Sequence, residues 1–242
     1  LLSFCLSGCS HVPRGSEEQV EGIVQERIDK EVHWNRNYYE DPRVTAYIQD
    51  LTSQTLTSET AVQIALLNNP QIQATFEELG IAQADLVEAG LLTNPVFEVE
   101  VRYPPEKRLR TNIEYLVTAT FLDIFLVPLR VRLASTEFEQ AKLRVANEIL
   151  DLAFDVRQTY YELLAEQQKL KYTQAIVELT GINSEIASRQ HIVSNVNRLD
   201  FQQIQARFLE AKLEIAKSQA EIIRLREKLN RLLGLSEDIC LI

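Results

Sequence analysis

Residues 201–233 read FQQIQARFLEAKLEIAKSQAEIIRLREKLNRLL, and their spacing decides the fold. Phe201, Ile204, Phe208, Ala211, Ile215, Ser218, Ile222, Leu225, Leu229 and Leu232 follow one another in strictly alternating steps of three and four, and only Ser218 is polar. A sustained 3.5-residue period specifies a helix that supercoils left-handedly against a partner. Ala206, Leu209, Leu213, Ala216, Ala220 and Ile223 form a second seam, set about 150° from the first at the heptad's step of about 103° per residue. A broad polar face (Gln203, Arg207, Glu210, Glu214, Lys217, Glu221, Arg224, Lys228) and a narrow one (Gln205, Lys212, Gln219, Arg226) separate the seams. A two-stranded coiled coil needs one seam only. Two nearly opposite seams predict a neighbour on each side and water on the two remaining faces, as for a stave in a cylinder of helices. An inner helix of a soluble bundle would carry a smaller polar arc.

The chain leading into this helix, predicted over about 199–233, carries a second long helical period. Ala134, Phe138, Ala141, Val145, Ile149, Leu152, Val156, Tyr160 and Leu163 line one stripe of a helix predicted over about 129–193, some 65 residues and roughly 100 Å long. Gly181 is expected to loosen it, and Ser194-Asn195-Val196-Asn197 to reverse the chain, with Asp200 near the start of the return helix. Asp200 also reads as that helix's N-cap.

Upstream of the long helix the period switches to two. Phe97, Val99, Val101 and Tyr103 alternate with Glu98, Glu100 and Arg102, and Ile113, Tyr115, Val117, Ala119 and Phe121 alternate with Asn112, Glu114, Thr118 and Thr120, Leu116 being the exception. Strands over about 95–103 and 111–121 have the length that crosses a bilayer when tilted, with Phe97, Tyr103 and Phe121 placed like an interfacial girdle. A soluble hairpin would alternate in the same way. Two strands cannot close a barrel, so insertion in lipid requires oligomerisation or further strands. Two shorter helices are predicted before the strands, over about 58–68 from the start signal Thr57-Ser58-Glu59, and over about 70–92 with Asn69 as cap and Pro70 at its first position. The second of these and the return helix together about equal the long helix in length, so the two could stack end to end along it.

Composition removes several function classes. Glycine is scarce, 7 in 242 residues, and no two form a G-x-G pair, so there is neither a dinucleotide fingerprint nor a phosphate loop. The net charge of −10 argues against nucleic acid as a partner. Cys5, Cys9 and Cys240 are too few for a disulfide framework, and His11, His33 and His191 are scattered, so no metal site, cofactor or catalytic set is expected. Glu77 and Glu78 read as an exposed helix face.

The first residues are informative in another way. Leu1-Leu2-Ser3-Phe4-Cys5-Leu6-Ser7-Gly8-Cys9-Ser10 is an apolar run closed by small residues, and the chain contains no methionine. It reads as the tail of a secretory h-region whose beginning lies outside the sequence. Leu6-Ser7-Gly8-Cys9 resembles a bacterial lipobox, which implies lipidation of Cys9, and two or more acyl chains give stable anchoring. Residues 1–9 are thus the expected remnant of a lipoprotein signal. Residues 10–56, with Pro13, Gly15 and Gly22 and the aromatics Trp34, Tyr38 and Tyr39, read as an irregular tether followed by a short packed segment.

Taken together, Leu56-Thr57-Ser58-Glu59-Thr60-Ala61, Ala65-Leu66-Leu67-Asn68-Asn69-Pro70, Ala89-Gly90-Leu91-Leu92-Thr93-Asn94-Pro95, the tip Asn195-Val196-Asn197-Arg198-Leu199-Asp200 and Leu232-Leu233-Gly234-Leu235 resemble one structural repeat of the TolC family of outer-membrane efflux factors. Pro128-Leu129-Arg130 is most similar to the branch serving heavy-metal and other cation pumps. The resemblance implies a mainly α fold, in which long antiparallel coiled-coil helices of an α-barrel accompany a two-stranded antiparallel membrane hairpin. It implies a homotrimer in outer-membrane lipid and a periplasmic extension that meets an adaptor protein and an inner-membrane pump. Residues 57–235 make the first of two repeats, and 236–242 begin a linker to a second. The tip residues Val196, Asn197, Arg198, Leu199 and Asp200 are the implied adaptor contact, with Asp200 standing where the family favours Ser.

The expected function is a passive duct without enzymatic activity, exporting small molecules or metal cations, whose pore-facing residues are Glu98, Glu100, Arg102 and Glu114. The alternative is a periplasmic coiled-coil scaffold lipoprotein without a pore.

Overall fold

The computed structural model describes residues 16–34, 42–53, 55–102 and 112–235. Cys5, Cys9, Tyr38, Tyr39, Tyr103 and Cys240 lie outside them. Among the described residues the order is α1 (Ser16–Ile28), α2 (Pro42–Ser53), α3 (Ser58–Asn68), α4 (Pro70–Ala89), β1 (Val96–Arg102), β2 (Asn112–Thr118), α5 (Asp123–Ile192) and α6 (Arg198–Leu233). The chain is mainly α-helical, with two long antiparallel helices and one antiparallel strand pair. It divides into two compact units, and α1, α4 and α5 contribute to both.

One unit comprises, among the described residues, 23–34, 42–53, 55–73 and 147–235. Its centre is α3, where Ala61, Val62, Ile64, Ala65 and Leu66 have no solvent exposure at all. A helix apolar all round is stable only when covered on every side. Thr57 caps it reciprocally: its hydroxyl accepts from the Thr60 amide at 3.1 Å, while the Thr60 hydroxyl accepts from the Thr57 amide at 2.8 Å. Asn69 closes α3 by donating its amide to the Ala65 carbonyl at 2.9 Å, and opens α4 by accepting from the Gln71 amide at 2.7 Å. The last turn of α6 meets this junction. Asn69 Nδ2 donates to the Leu232 carbonyl at 2.8 Å, and Asn68 Nδ2 to those of Leu233 and Gly234 at 2.9 and 2.8 Å. Gly234 closes α6 at φ 68°, where a Cβ would stand 2.4 Å from the Asn68 carbonyl oxygen.

Polar links tie the surrounding segments to α3. Gln63 Nε2 donates to the Glu31 carbonyl at 3.0 Å, and the Tyr160 hydroxyl to that of Leu56 at 3.1 Å. Glu59 receives both Lys30 and Arg157 at 3.1 Å. Those two cations, Lys30 foremost, hold its carboxyl below the ordinary glutamate range.

Helices α5 and α6 run antiparallel. The Phe201 ring stacks on His191 with centroids 5.0 Å apart, and Lys169 bridges Glu214 at 3.2 Å. Helix α5 is continuous through Gly181, contrary to the expected loosening. The Phe208 ring lies against that glycine, 3.1 Å from where a Cβ would stand, so the missing side chain admits a close approach.

The second unit draws, among described residues, on 16–22, 74–102 and 112–146. Phe76, Leu79, Phe138 and Val145 are buried in it, as is Val20 of α1. Lys142, almost fully buried, donates to Gln19 at 2.5 Å and to Glu139 at 2.6 Å and lies over the Phe138 ring. Helix α5 begins at Asp123, six residues before the predicted start. Carbonyls of Thr120, Phe121 and Leu122 receive the amides of Asp123 to Leu126, which builds a first turn ahead of Pro128. Pro128 then removes one bond near the helix start, where proline is least disruptive. Helix α4 ends at Ala89 instead of near 92. The stretch read as irregular contains α1 and α2: Val20 and Val24 give α1 a buried i, i+4 pair, and Pro42 sits at the first position of α2.

Two stability measurements test these contacts. Gly234→Ala should cost about 2–3 kcal/mol, an αL penalty plus a backbone clash, and an unchanged urea midpoint would refute the close approach. Glu59 stabilises the fold while ionised, fully so above the ordinary glutamate range, and the gain is lost as pH falls through its lowered folded value. Being half-exposed, it contributes less than about 1 kcal/mol. Glu59→Gln should therefore lower the midpoint at neutral pH and leave it unchanged in acid, and a difference of constant size at every pH would refute the ion triad.

Candidate functional site

The strand pair is the first functional element. Its register runs from Val96 opposite Thr118 to Arg102 opposite Asn112. Paired residues share a face of the pleat, so Phe97, Val99 and Val101 lie with Val117, Tyr115 and Ile113. The opposite face carries Glu98, Glu100, Arg102, Asn112 and Glu114, with Leu116 opposite Glu98 and the apolar Val96 opposite Thr118 at its end. Both faces are exposed. On the apolar face Phe97 stacks diagonally on Tyr115, with centroids 6.2 Å apart. On the polar face Glu100 stands directly opposite Glu114, a like-charge pairing that is destabilising by itself. Arg102 resolves it: its guanidinium donates to both oxygens of Glu100 at 2.8 and 2.9 Å and lies 3.5 Å from Glu114. Asn112 adds a bond to Glu114 at 2.7 Å. The four residues expected to face a pore thus share one surface, three joined in a cluster and Glu98 beside them.

The second element is the wall formed by α5 and α6. The first seam of α6 is turned inward, with Ser218, Ile222, Leu225 and Leu229 buried. The second seam is bare: Leu209, Leu213 and Ile223 are 60%, 56% and 61% exposed. A matching row on α5 is also exposed, comprising Tyr161, Leu164, Tyr172, Leu179, Ile182 and Ile186. The pairs Lys169 with Glu214 and Gly181 with Phe208 put the two rows at the same level of the hairpin. The α5 row is large, whereas the α6 row mixes Leu209, Leu213 and Ile223 with Ala206, Ala216 and Ala220.

The third element is the tip. Helix α5 ends with the Ser194 amide on the His191 carbonyl at 3.0 Å and the Asn195 amide on that of Gln190 at 2.9 Å, and Ser194 adopts φ 62°. Asn197, not Asp200, caps α6: its Oδ1 accepts from the Asp200 amide at 2.8 Å, and its Nδ2 donates to the Asp200 carboxylate at 2.9 Å. Asparagine at the cap has the short oxygen that reaches the third amide. Val196 is held through its carbonyl, 2.9 Å from His191 Nδ1, while Arg198 and Leu199 are exposed. The bracing role of His191 was not read from the sequence, although its place five residues before Val196, across the predicted reversal, was the available signal. Cys9, the expected lipidation site, lies outside the described residues.

Residues 61–235 match the family model described as outer membrane efflux protein. Over 179 residues the chain is 22% identical to the cobalt-zinc-cadmium resistance protein CzcC of Cupriavidus metallidurans, and the alignment covers 74% of this chain and 42% of that protein. The chain therefore spans less than half the length of this relative.

Proposed function

Because the chain belongs to the outer membrane efflux protein family, we propose that it forms part of the wall of an outer-membrane export duct with no chemistry of its own. The observation that bears this reading is the strand pair with one apolar and one charged face, both uncovered. A soluble hairpin buries its apolar face on a core, whereas a barrel wall turns that face to lipid and its charged face to water. Glu98, Glu100, Arg102 and Glu114 then line the lumen, with acidic groups in excess, and favour cations. The name of the relative points to divalent metal ions as cargo, which the same charge would admit.

The bare seams support a ring of copies. The α5 row is large throughout whereas the α6 row mixes large residues with alanines, so the two are unlike and join head to tail. Such contacts close into rings, while like-to-like contacts give twofold dimers. In this reading the ring has three protomers, as the family resemblance implies, and Cys9 is acylated in the outer membrane, as the lipobox-like Leu6-Ser7-Gly8-Cys9 implies. Residues 196–200 at the tip receive a periplasmic adaptor, and an inner-membrane pump supplies the energy.

The purified protein should run as a detergent-dependent trimer and conduct ions in planar bilayers, with cation preference reduced by Glu100→Gln and Glu114→Gln. A soluble monomer or dimer without conductance would replace the duct by a periplasmic scaffold. Arg198→Glu should reduce cross-linking to the adaptor at unchanged trimer yield, and undiminished cross-linking would remove the tip assignment.

A further inference from the structure

The beginning of α5 differs from the rest of that helix. Further along, exposed apolar residues keep to seams with charge between them. From Phe121 to Leu129 they surround the axis: Phe121, Leu122, Ile124, Phe125, Leu126 and Leu129 are all exposed. Successive helical residues are about 100° apart, so Ile124, Phe125 and Leu126 point in three directions. No charged residue occurs from Ile124 to Leu129. The single carboxylate at the start, Asp123, is taken by the Thr93 hydroxyl. Charge returns at once in Arg130-Val131-Arg132, where Arg130 Nη2 reaches the Leu91 carbonyl at 3.4 Å and Arg132 is exposed. Those two contacts bring Leu91 and Leu92, both exposed, to the same level.

A helical turn that is apolar all round is stable only where no side meets water. Neighbours set side by side in a wall cover its flanks and leave the outward side bare. Aromatic residues followed directly by arginines are the composition of a membrane interface, where rings sit among headgroups and guanidinium groups extend to the phosphates. Phe121 and Phe125, packed edge to face at 5.5 Å, supply the rings.

We infer that residues 121–129, with Leu91 and Leu92, form a collar seated in the boundary between acyl chains and headgroups of a bilayer, with Arg132 at the phosphate level. The occupant is a lipid surface, and the inference rests on reading the strand pair as membrane-spanning. Lengths agree with it. The seven paired rungs rise about 3.4 Å each, and at a tilt of about 40° they cover about 18 Å of an apolar band about 25 Å tall. The seven helical residues 123–129 add about 10 Å at that end of the hairpin, enough to cover the roughly 7 Å of the band the strands leave and to reach the headgroup boundary. The collar thereby fixes how deeply the hairpin sits.

Tryptophan fluorescence in vesicles of phosphatidylethanolamine and phosphatidylglycerol tests this, using lipids brominated near the headgroup end of the acyl chain. Buried Trp34 gives a constant background. Phe125→Trp should emit further to the blue on vesicle binding and lose most of its added emission to the brominated lipid, while Tyr172→Trp, far along α5, should keep its own. Tyr115→Trp reports the hairpin separately. Quenching at 115 without quenching at 125 would overturn the collar and leave the hairpin reading intact, and quenching at neither position would overturn both. Leu129→Trp gives the same readout should Phe125→Trp lose the helical circular dichroism signal.

Discussion

The carboxamides of Asn68 and Asn69 hold together what the rest of one unit depends on. Every α-helix ends with carbonyls that lack a partner in the helix. At the end of α6 three of these, on Leu232, Leu233 and Gly234, receive hydrogen bonds from the two adjacent asparagines. Leaving such buried acceptors unmet costs about 1–3 kcal/mol each. The same Asn69 ends α3 and starts α4, so one dipeptide organises three helix termini. Gly234 completes the junction because no side chain fits against the Asn68 carbonyl. The apolar helix α3 is fixed at one end by this junction and at the other by the Thr57 and Thr60 capping pair.

From that anchored end the α5 and α6 pair extends as a ribbon with two kinds of surface. Between the helices, contacts are specific: Phe208 on Gly181, Phe201 on His191, and Lys169 joined to both Glu166 and Glu214, which hold its ammonium above the ordinary lysine range. Outward, each helix presents an apolar row that no described residue covers. The strand pair repeats the division at its own scale, with a charged face on which Arg102 bridges Glu100 and Glu114 and an apolar face left open. The membership of residues 61–235 in an outer-membrane efflux family fits this two-sided construction.

Much of this was legible in the sequence where a period repeats many times. The heptad of 201–232 announced both seams of α6, and the alternation of Phe97 to Val101 with Glu98 to Arg102 announced the strand faces. The signals at Thr57 and at Asn69-Pro70 are local chemistry, and they too could be read directly. Shorter or context-dependent signals were not. Helix α1 has only Val20 and Val24 on its buried face, with Gly22 between them, too little for a period to register. Pro128 reads as a helix start, yet the three residues before Asp123 supply enough carbonyls to begin α5 ahead of it. Gly181 reads as a weak point because a glycine's packing partner, here Phe208, is distant in sequence. The bracing of the tip by His191 depends on the reversal at Ser194, whose positive φ no propensity marks.

The uncovered rows on α5 and α6 also bear on the life of a newly made copy. Exposed contiguous apolar surface is an aggregation hazard until it is covered. A folded copy outside the proposed ring would carry such surface along both long helices, so folding alone would not protect it from aggregation. On the proposed reading, how much of the protein accumulates would be governed by how quickly copies find one another, with chaperones or proteases that recognise sticky helices competing with that encounter.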